Sequence, residues 1–178
     1  MIVDDDNVYR MSNIIRYSQL DKIKNESVAE HSYYVAWFVN RVCTEFHLCS
    51  TIRLMALEAA ILHDVPEVIT NDITYDVKCM VPEIKELLQP YEEQIIKEHS
   101  YPVWETLFHP KSWNQRVAKA VVKHADVLSV VQYCHHEEML GNKSFTELRE
   151  ASQERAMKTL DELLTVIREG DERYAEKQ

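Results

Sequence analysis

Apolar positions along this chain recur at steps of three and four, the period of a helix packed on one face. Val28, His31, Val35, Phe38, Val42 and Phe46 form the clearest stripe, with an imidazole among its apolar members. The spacing predicts a helix from a Ser27 cap to about Leu48, and Glu30 completes a capping box. Upstream, "DDD" at 4–6 suits the cap and first turn of a helix reaching about Tyr17. Ser50 is expected to cap the next helix. It runs through Ala59, Ala60, Ile61 and Leu62 and ends near Asp64, because Pro66 disfavours helical geometry at Val65. A short turn at 66–70 and a loop through Met80 follow. "VPEIKELLQPYEEQIIKEH" predicts a long helix with a kink at Pro90. A short segment then holds Trp104 and Phe108. "NQRVAKAVVKHADVLSVVQYCHHEEM" predicts another long helix, closed by Gly141, and the last helix begins near Ser144. No stretch alternates with the two-residue period of a strand.

Composition strengthens the helical reading. Only 2 glycines and 5 prolines occur in 178 residues, too few for the tight turns of a sheet protein, so the fold class is all-α. The length suits one domain, 1–178, able to bury a core without disulfides, and no repeat or linker divides it. A formal charge of -10 argues against polymeric nucleic acid and anionic membranes as partners. A small anionic substrate remains compatible, since a metal and a few lysines invert the field locally. Cys43, Cys49, Cys79 and Cys134 lack CxxC spacing, and no signal peptide or membrane-spanning run occurs, so they read as reduced thiols in a cytoplasmic protein. Cys43 with His47, and "CHHEE" at 134–138, have metal-ligand residue types but no matching second half.

The chemistry lies in polar residues on faces that should pack inward. His31 sits in the apolar stripe, His63 and Asp64 follow an apolar run, and Asp126 is in step with Val122 and Val130. A buried carboxylate costs several kcal/mol unless paired or bound to a cation. Taken singly, each residue fits a satisfied core histidine or a helix-end feature. Together, two imidazoles and two carboxylates on three helices suit one divalent ion, Mn, Co, Zn or Fe, with positions left for water and substrate.

These residues, His31, His63-Asp64 and Asp126, match the H…HD…D signature of the HD-domain metal-dependent phosphohydrolases. "RYSQLDKIKNESVAEHS" (16–32), "HDVPEVITND" (63–72), "DVK" (76–78) and "VKHADVL" (122–128) resemble the YfbR-like 5′-deoxynucleotidases and the compact phage dATP triphosphohydrolases. The resemblance spans about residues 10 to 140. It implies an HD-domain helical bundle of about six to eight helices around a buried metal site. It implies hydrolysis of the P–O5′ ester of a 2′-deoxyribonucleotide, releasing deoxynucleoside with phosphate or triphosphate. His31, His63, Asp64 and Asp126 are then the metal ligands, and Glu67 is placed to work on the attacking water or, preferably, the leaving oxygen. Arg16 reaches the phosphate or supports the sugar site, and Tyr17 presses on the deoxyribose where relatives often carry tryptophan. Asp72 holds the 3′-hydroxyl and is the next candidate for proton transfer. Lys78 matches a lysine near the phosphate, and Lys24, with Lys22, either serves the extra phosphates of a triphosphate or sits on a solvated turn. Relatives form dimers or hexamers, so a homo-oligomer is expected, with Trp37, Trp104 and Trp113 at its contacts; a phage-encoded chain would work in the host cytoplasm.

Two other classes fit less well. An HD-type di-iron oxygenase needs further histidines before the last Asp, and His99, His109 and His124 lack ligand spacing. A catalytically silent nucleotide-binding module would not need the complete ligand set together with Glu67.

Overall fold

A computed structural model describes residues 8–175, except for the side chains of 75, 76, 79 and 171–175. Among the described residues the chain is helical, with eight α-helices and two 3-10 turns. The helices are α1 (Val28–Glu45), α2 (Ser50–Leu62), α3 (Glu67–Thr70), α4 (Tyr75–Met80), α5 (Pro82–His99), α6 (Tyr101–Phe108), α7 (Trp113–Met139) and α8 (Thr146–Ala175). No helix among the described residues is long and apolar enough to cross a membrane.

Local signals set most helix starts. Ser27 Oγ accepts the Glu30 N–H and the Glu30 side chain accepts the Ser27 N–H, so the expected capping box is formed. Ser112 and Gln115 make a second box at the start of α7. Other boundaries differ from expectation. Ser50 is the first residue of α2 and makes no cap; Cys49 holds the cap position without a side-chain bond. α1 stops at Glu45, before a left-handed His47 with φ 52°, and α2 stops at Leu62. The segment expected as a loop through Met80 contains α4, and α5 runs through Pro90.

The N-terminal helix expected to reach Tyr17 does not do so: Val8 is helical, a 3-10 turn spans Tyr9–Ser12, and no helix follows up to Tyr17, while the expected "DDD" start lies outside the described residues. Instead Ile15 bridges antiparallel to Ser27, with the Arg16 N–H donating to Glu26 O and the Val28 N–H to Ile14 O. Tyr17 takes φ 52°, which no helix accommodates. Pairing with residues ten or more positions away wins over the local helical pattern.

The core joins α1, α2, α5, α6, α7 and α8. Val35, Val39 and Val42 of α1 meet Ile52, Ala56, Ala59 and Ala60 of α2, Val117, Val121 and Ala125 of α7, and Leu163 of α8. Full burial of each valine contributes about 1.5–3 kcal/mol. The alanines let α2 approach closely, bringing the end of α2 beside α1 and α7. Trp113 donates its Nε1–H to Val166 O, and Trp104 donates to Glu93. Both pack partly against the core, so of the three tryptophans expected at oligomer contacts only Trp37, 60% exposed, presents its ring outward.

Candidate metal centre and nucleotide pocket

The three helices deliver their polar residues to one point. His31, wholly buried on α1, sends Nε2 to 3.1 Å from Asp126 Oδ1 and 3.5 Å from Asp64 Oδ2. His63, at the end of α2, places Nε2 3.2 Å from Asp64 Oδ2. Neither imidazole Nε2 makes a hydrogen bond, although both are buried. The close approaches are therefore misaligned for bonding to one another. Ligand atoms of His31, His63 and Asp64 lie within 4.8 Å of one another. Asp126 joins through its contact with His31 and, one third exposed, reaches the mouth of the site.

Backbone and neighbours orient the rings. His63 Nδ1 lies 2.8 Å from Ala60 O, so its N–H donates there and Nε2 faces the carboxylates. His31 Nδ1 is 3.2 Å from Ser129 Oγ and 2.7 Å from Arg16 Nη1. A guanidinium only donates, so Nδ1 accepts from Arg16 here; with a cation on Nε2, Nδ1 would carry the ring proton and could donate to Ser129. Arg16 is itself buried, with Nη1 2.8 Å from Glu26 Oε2 and its charge 5.1 Å from the Tyr17 ring centroid.

Electrostatics separates the acids. Burial alone would raise Asp64, but His63, His31 and Arg16 outweigh it and hold the carboxyl far below the usual range. Burial would likewise raise Asp126, and its contact with His31 holds it down. Burial would lower His63, yet Asp64 and Asp126 push it up to about 9. Glu67 goes the other way. Burial, with the Asp64 and Asp72 charges beside it, pushes its carboxyl up to about 10. Its Oε2 is buried and makes no hydrogen bond. A protonated acid thus stands next to two ionised ones, the separation that acid–base catalysis uses.

A cavity of ≈ 150 Å³ opens over this cluster, lined by Arg16, Tyr17, Asp64, Glu67, Asp72, Lys78, Asp126 and Arg155 among others. Asn71 takes φ 61°, and the turn it makes directs Asp72 back so that its Oδ2 accepts the Tyr17 N–H at 3.0 Å. Lys24 is not brought here. It lines a separate cavity of ≈ 220 Å³ with Glu26, Glu30, Tyr34 and Tyr133. Lys22 Nζ donates to the carbonyls of Arg16 and Tyr17. Sequence reasoning missed Glu26, Ser129, Tyr133 and Arg155. Ser129 follows Asp126 by three and Tyr133 by seven, spacings that mark one helix face; nothing local marks Arg155 or Glu26.

The family model for the YfbR-like 5′-deoxynucleotidases matches residues 6–167. The chain belongs to that family. The 5′-deoxynucleotidase YfbR of Salmonella typhi is 25% identical over 172 residues, 89% of this chain and 86% of that protein. Among solved structures, the cyanophage S-2L HD phosphohydrolase DatZ, bound to dA and one catalytic Zn2+ ion, superposes with a TM-score of 0.72 at 21% identity, covering 100% of this chain and 99% of that one. An HD-domain phosphohydrolase from Listeria innocua gives 0.62 at 21% identity, over 90% and 83%. The fold is thus the HD-domain bundle, as its H…HD…D residues imply.

Within this YfbR-like framework the donor set fits a divalent cation. Two buried imidazole nitrogens without hydrogen-bond partners face two ionised carboxylates, and a cation removes the cost of leaving them unpaired. Of the three histidines weighed for an oxygenase, His124 pairs with Thr159 and His109 with Glu93, while His99 Nε2 is buried without a hydrogen-bond partner at the end of α5. The metal-ligand group found among the described residues, His31, His63 and Asp64, includes none of these three.

Proposed function

We propose that this YfbR-like protein hydrolyses the P–O5′ ester of 2′-deoxyribonucleotides, with a divalent ion held by His31, His63, Asp64 and Asp126. The observation that carries the reading is the pair of unpartnered imidazole nitrogens facing Asp64 and Asp126, beneath a cavity that Glu67 also lines. The names of the curated relatives and the dA and Zn2+ bound to DatZ support it.

The ion, when bound, supplies Lewis acidity and a water of lowered pKa. The chain's residues do the rest. Arg16, Lys78 and Arg155 line the cavity as cations and balance charge on the phosphoryl oxygens. Glu67 donates its proton to the departing O5′, which suits a carboxyl pushed up to about 10. Tyr17 lies against the sugar, and Asp72 accepts from the 3′-hydroxyl with the oxygen that the Tyr17 amide leaves free. Release of phosphate from a monophosphate and of triphosphate from a triphosphate break the same bond, and both products belong to this reading. The protein works in the cytoplasm as a homo-oligomer.

The test is a panel of deoxynucleoside mono- and triphosphates with added Mn²⁺, Co²⁺ or Zn²⁺, products identified by mass. Deoxynucleoside with intact phosphate or triphosphate is expected. Cleavage between phosphates, or no turnover with any metal, would sink the reading.

A further inference from the structure

The string "CHHEE" has an unexpected use. Its Glu137 is fully buried, and no metal-ligand group among the described residues includes it. Glu137 Oε2 accepts the Ile23 N–H and Oε1 the Lys24 N–H, both at 2.8 Å, while Asn142 Nδ2 donates to Oε2 at 2.7 Å. Burial would raise this carboxyl, but the Ile23 amide, Asn142 and the Lys24 amide outweigh it and hold it down. It is a charged anchor for a loop more than a hundred residues away.

That loop carries Arg16 and Tyr17, and it needs holding. Tyr17 has φ 52°, a left-handed conformation that a bulky side chain rarely adopts. Asp72 takes its N–H and Lys22 its carbonyl. Tyr133, one turn before Glu137 on α7, donates its O–H to Lys24 O at 2.8 Å. The Tyr133 ring also stacks on Tyr17, centroids 5.6 Å apart and 6° from parallel. α7 therefore supplies Asp126 to the cluster, the ring beneath Tyr17, and the carboxylate that fixes the loop's far end.

We propose that Glu137 is a positioning residue for sugar selection: by gripping the amides of Ile23 and Lys24 it sets where the Tyr17 ring stands over the cavity, and so how strongly a 2′-hydroxyl is excluded. The inference rests on the reading above, in which Tyr17 faces the deoxyribose. The site requires a carboxylate. Three donors converge on it, and an amide of the same size would set its own NH₂ against one of them.

The experiment compares kcat/KM on a matched deoxy- and ribonucleotide pair. The proteins are the native chain, Glu137→Gln, Tyr133→Phe, and Leu163→Ala as a core variant remote from the loop. The native chain should prefer the deoxy substrate. Glu137→Gln should lower that preference about tenfold, with kcat on the deoxy substrate within about threefold and metal content unchanged. Tyr133→Phe, which keeps the stack and loses only the bond to Lys24, should shift the preference the same way by less. Leu163→Ala should lower Tm and leave the preference alone. An unchanged preference in Glu137→Gln, or an equal shift in Leu163→Ala, overturns the inference while the hydrolase reading stands. If Glu137→Gln does not fold, Tyr133→Phe decides by the same comparison. Equal native rates on both sugars also overturn it, since there would be no selection to set. A native chain inactive on every nucleotide fails the hydrolase reading itself and this inference with it.

Discussion

In the metal-free protein, burial and the charges of Asp64 and Asp72 push the Glu67 carboxyl up to about 10; a cation at Asp64 offsets part of that push. In the proposed role of general acid it is active in the protonated form, so turnover of the metal-bound enzyme should fall on an alkaline limb that lies below about 10. Glu67→Gln should lower kcat on the order of a hundred- to ten-thousand-fold, with metal content retained and the alkaline limb abolished. A pH–rate profile and metal analysis of that variant check both points; loss of metal would make Glu67 a ligand or a ligand's support. His63 gives a second residue-scale prediction. In the metal-free protein it is pushed up to about 9, so a cation must displace a proton at neutral pH. Apparent metal affinity should fall about tenfold for each pH unit below about 9, and calorimetry in buffers of different ionisation heat should show proton release. The same raised pKa stabilises the metal-free fold fully below the ordinary value of 6.5 and is lost as pH rises through about 9.

At the scale of elements, α7 organises the molecule. It packs along α8, contacts α1 and α2, and carries Asp126, Ser129, Tyr133 and Glu137 on neighbouring turns. Its attachment to α8 depends on Gly170, where an added Cβ would run into the Trp113 ring. Gly170→Ala should therefore destabilise by about 1–3 kcal/mol, read as a lower Tm, while kcat at low temperature holds. Normal Tm in that variant would show that α8 shifts freely. The elements themselves were unevenly legible. Capping boxes and three-to-four spacing are local, so α1 and α7 were readable within a few residues. α4 was not, because six residues between Thr74 and Val81 carry no apolar period long enough to see. The N-terminal segment misled, because its pairing partner lies across a loop.

For the whole molecule, metal binding and folding should be linked. The four proposed ligands come from α1, from the residues just after α2, and from α7, so unfolding would scatter them and a bound ion would favour the folded chain. At a hundred times its Kd, a ligand adds about 2.7 kcal/mol, which in a domain of this size raises Tm by roughly 5–10 °C. Asp126→Ala should abolish most of that rise along with turnover. A metal-induced shift of native size in Asp126→Ala would place the ion elsewhere. Against the charge of -10, the cavity is lined by the cationic side chains Arg16, Lys78 and Arg155, the groups proposed to meet an anionic substrate.

The sequence by itself determined the helical class, the N-terminal cap of α1, and the residues that gather at the centre. Each of those is written in spacing along one helix or in one dipeptide, and helical geometry converts spacing directly into a shared face. Tertiary structure alone decided how the site is closed. Arg16 meets His31 across 15 residues, the Tyr17 amide meets Asp72 across 55, and Ile23 meets Glu137 across 114. None of these pairs lies on a common element, so no periodicity encodes them. They form because a buried carboxylate and a strained backbone must each find donors or acceptors, and the packed helices set which ones are within reach.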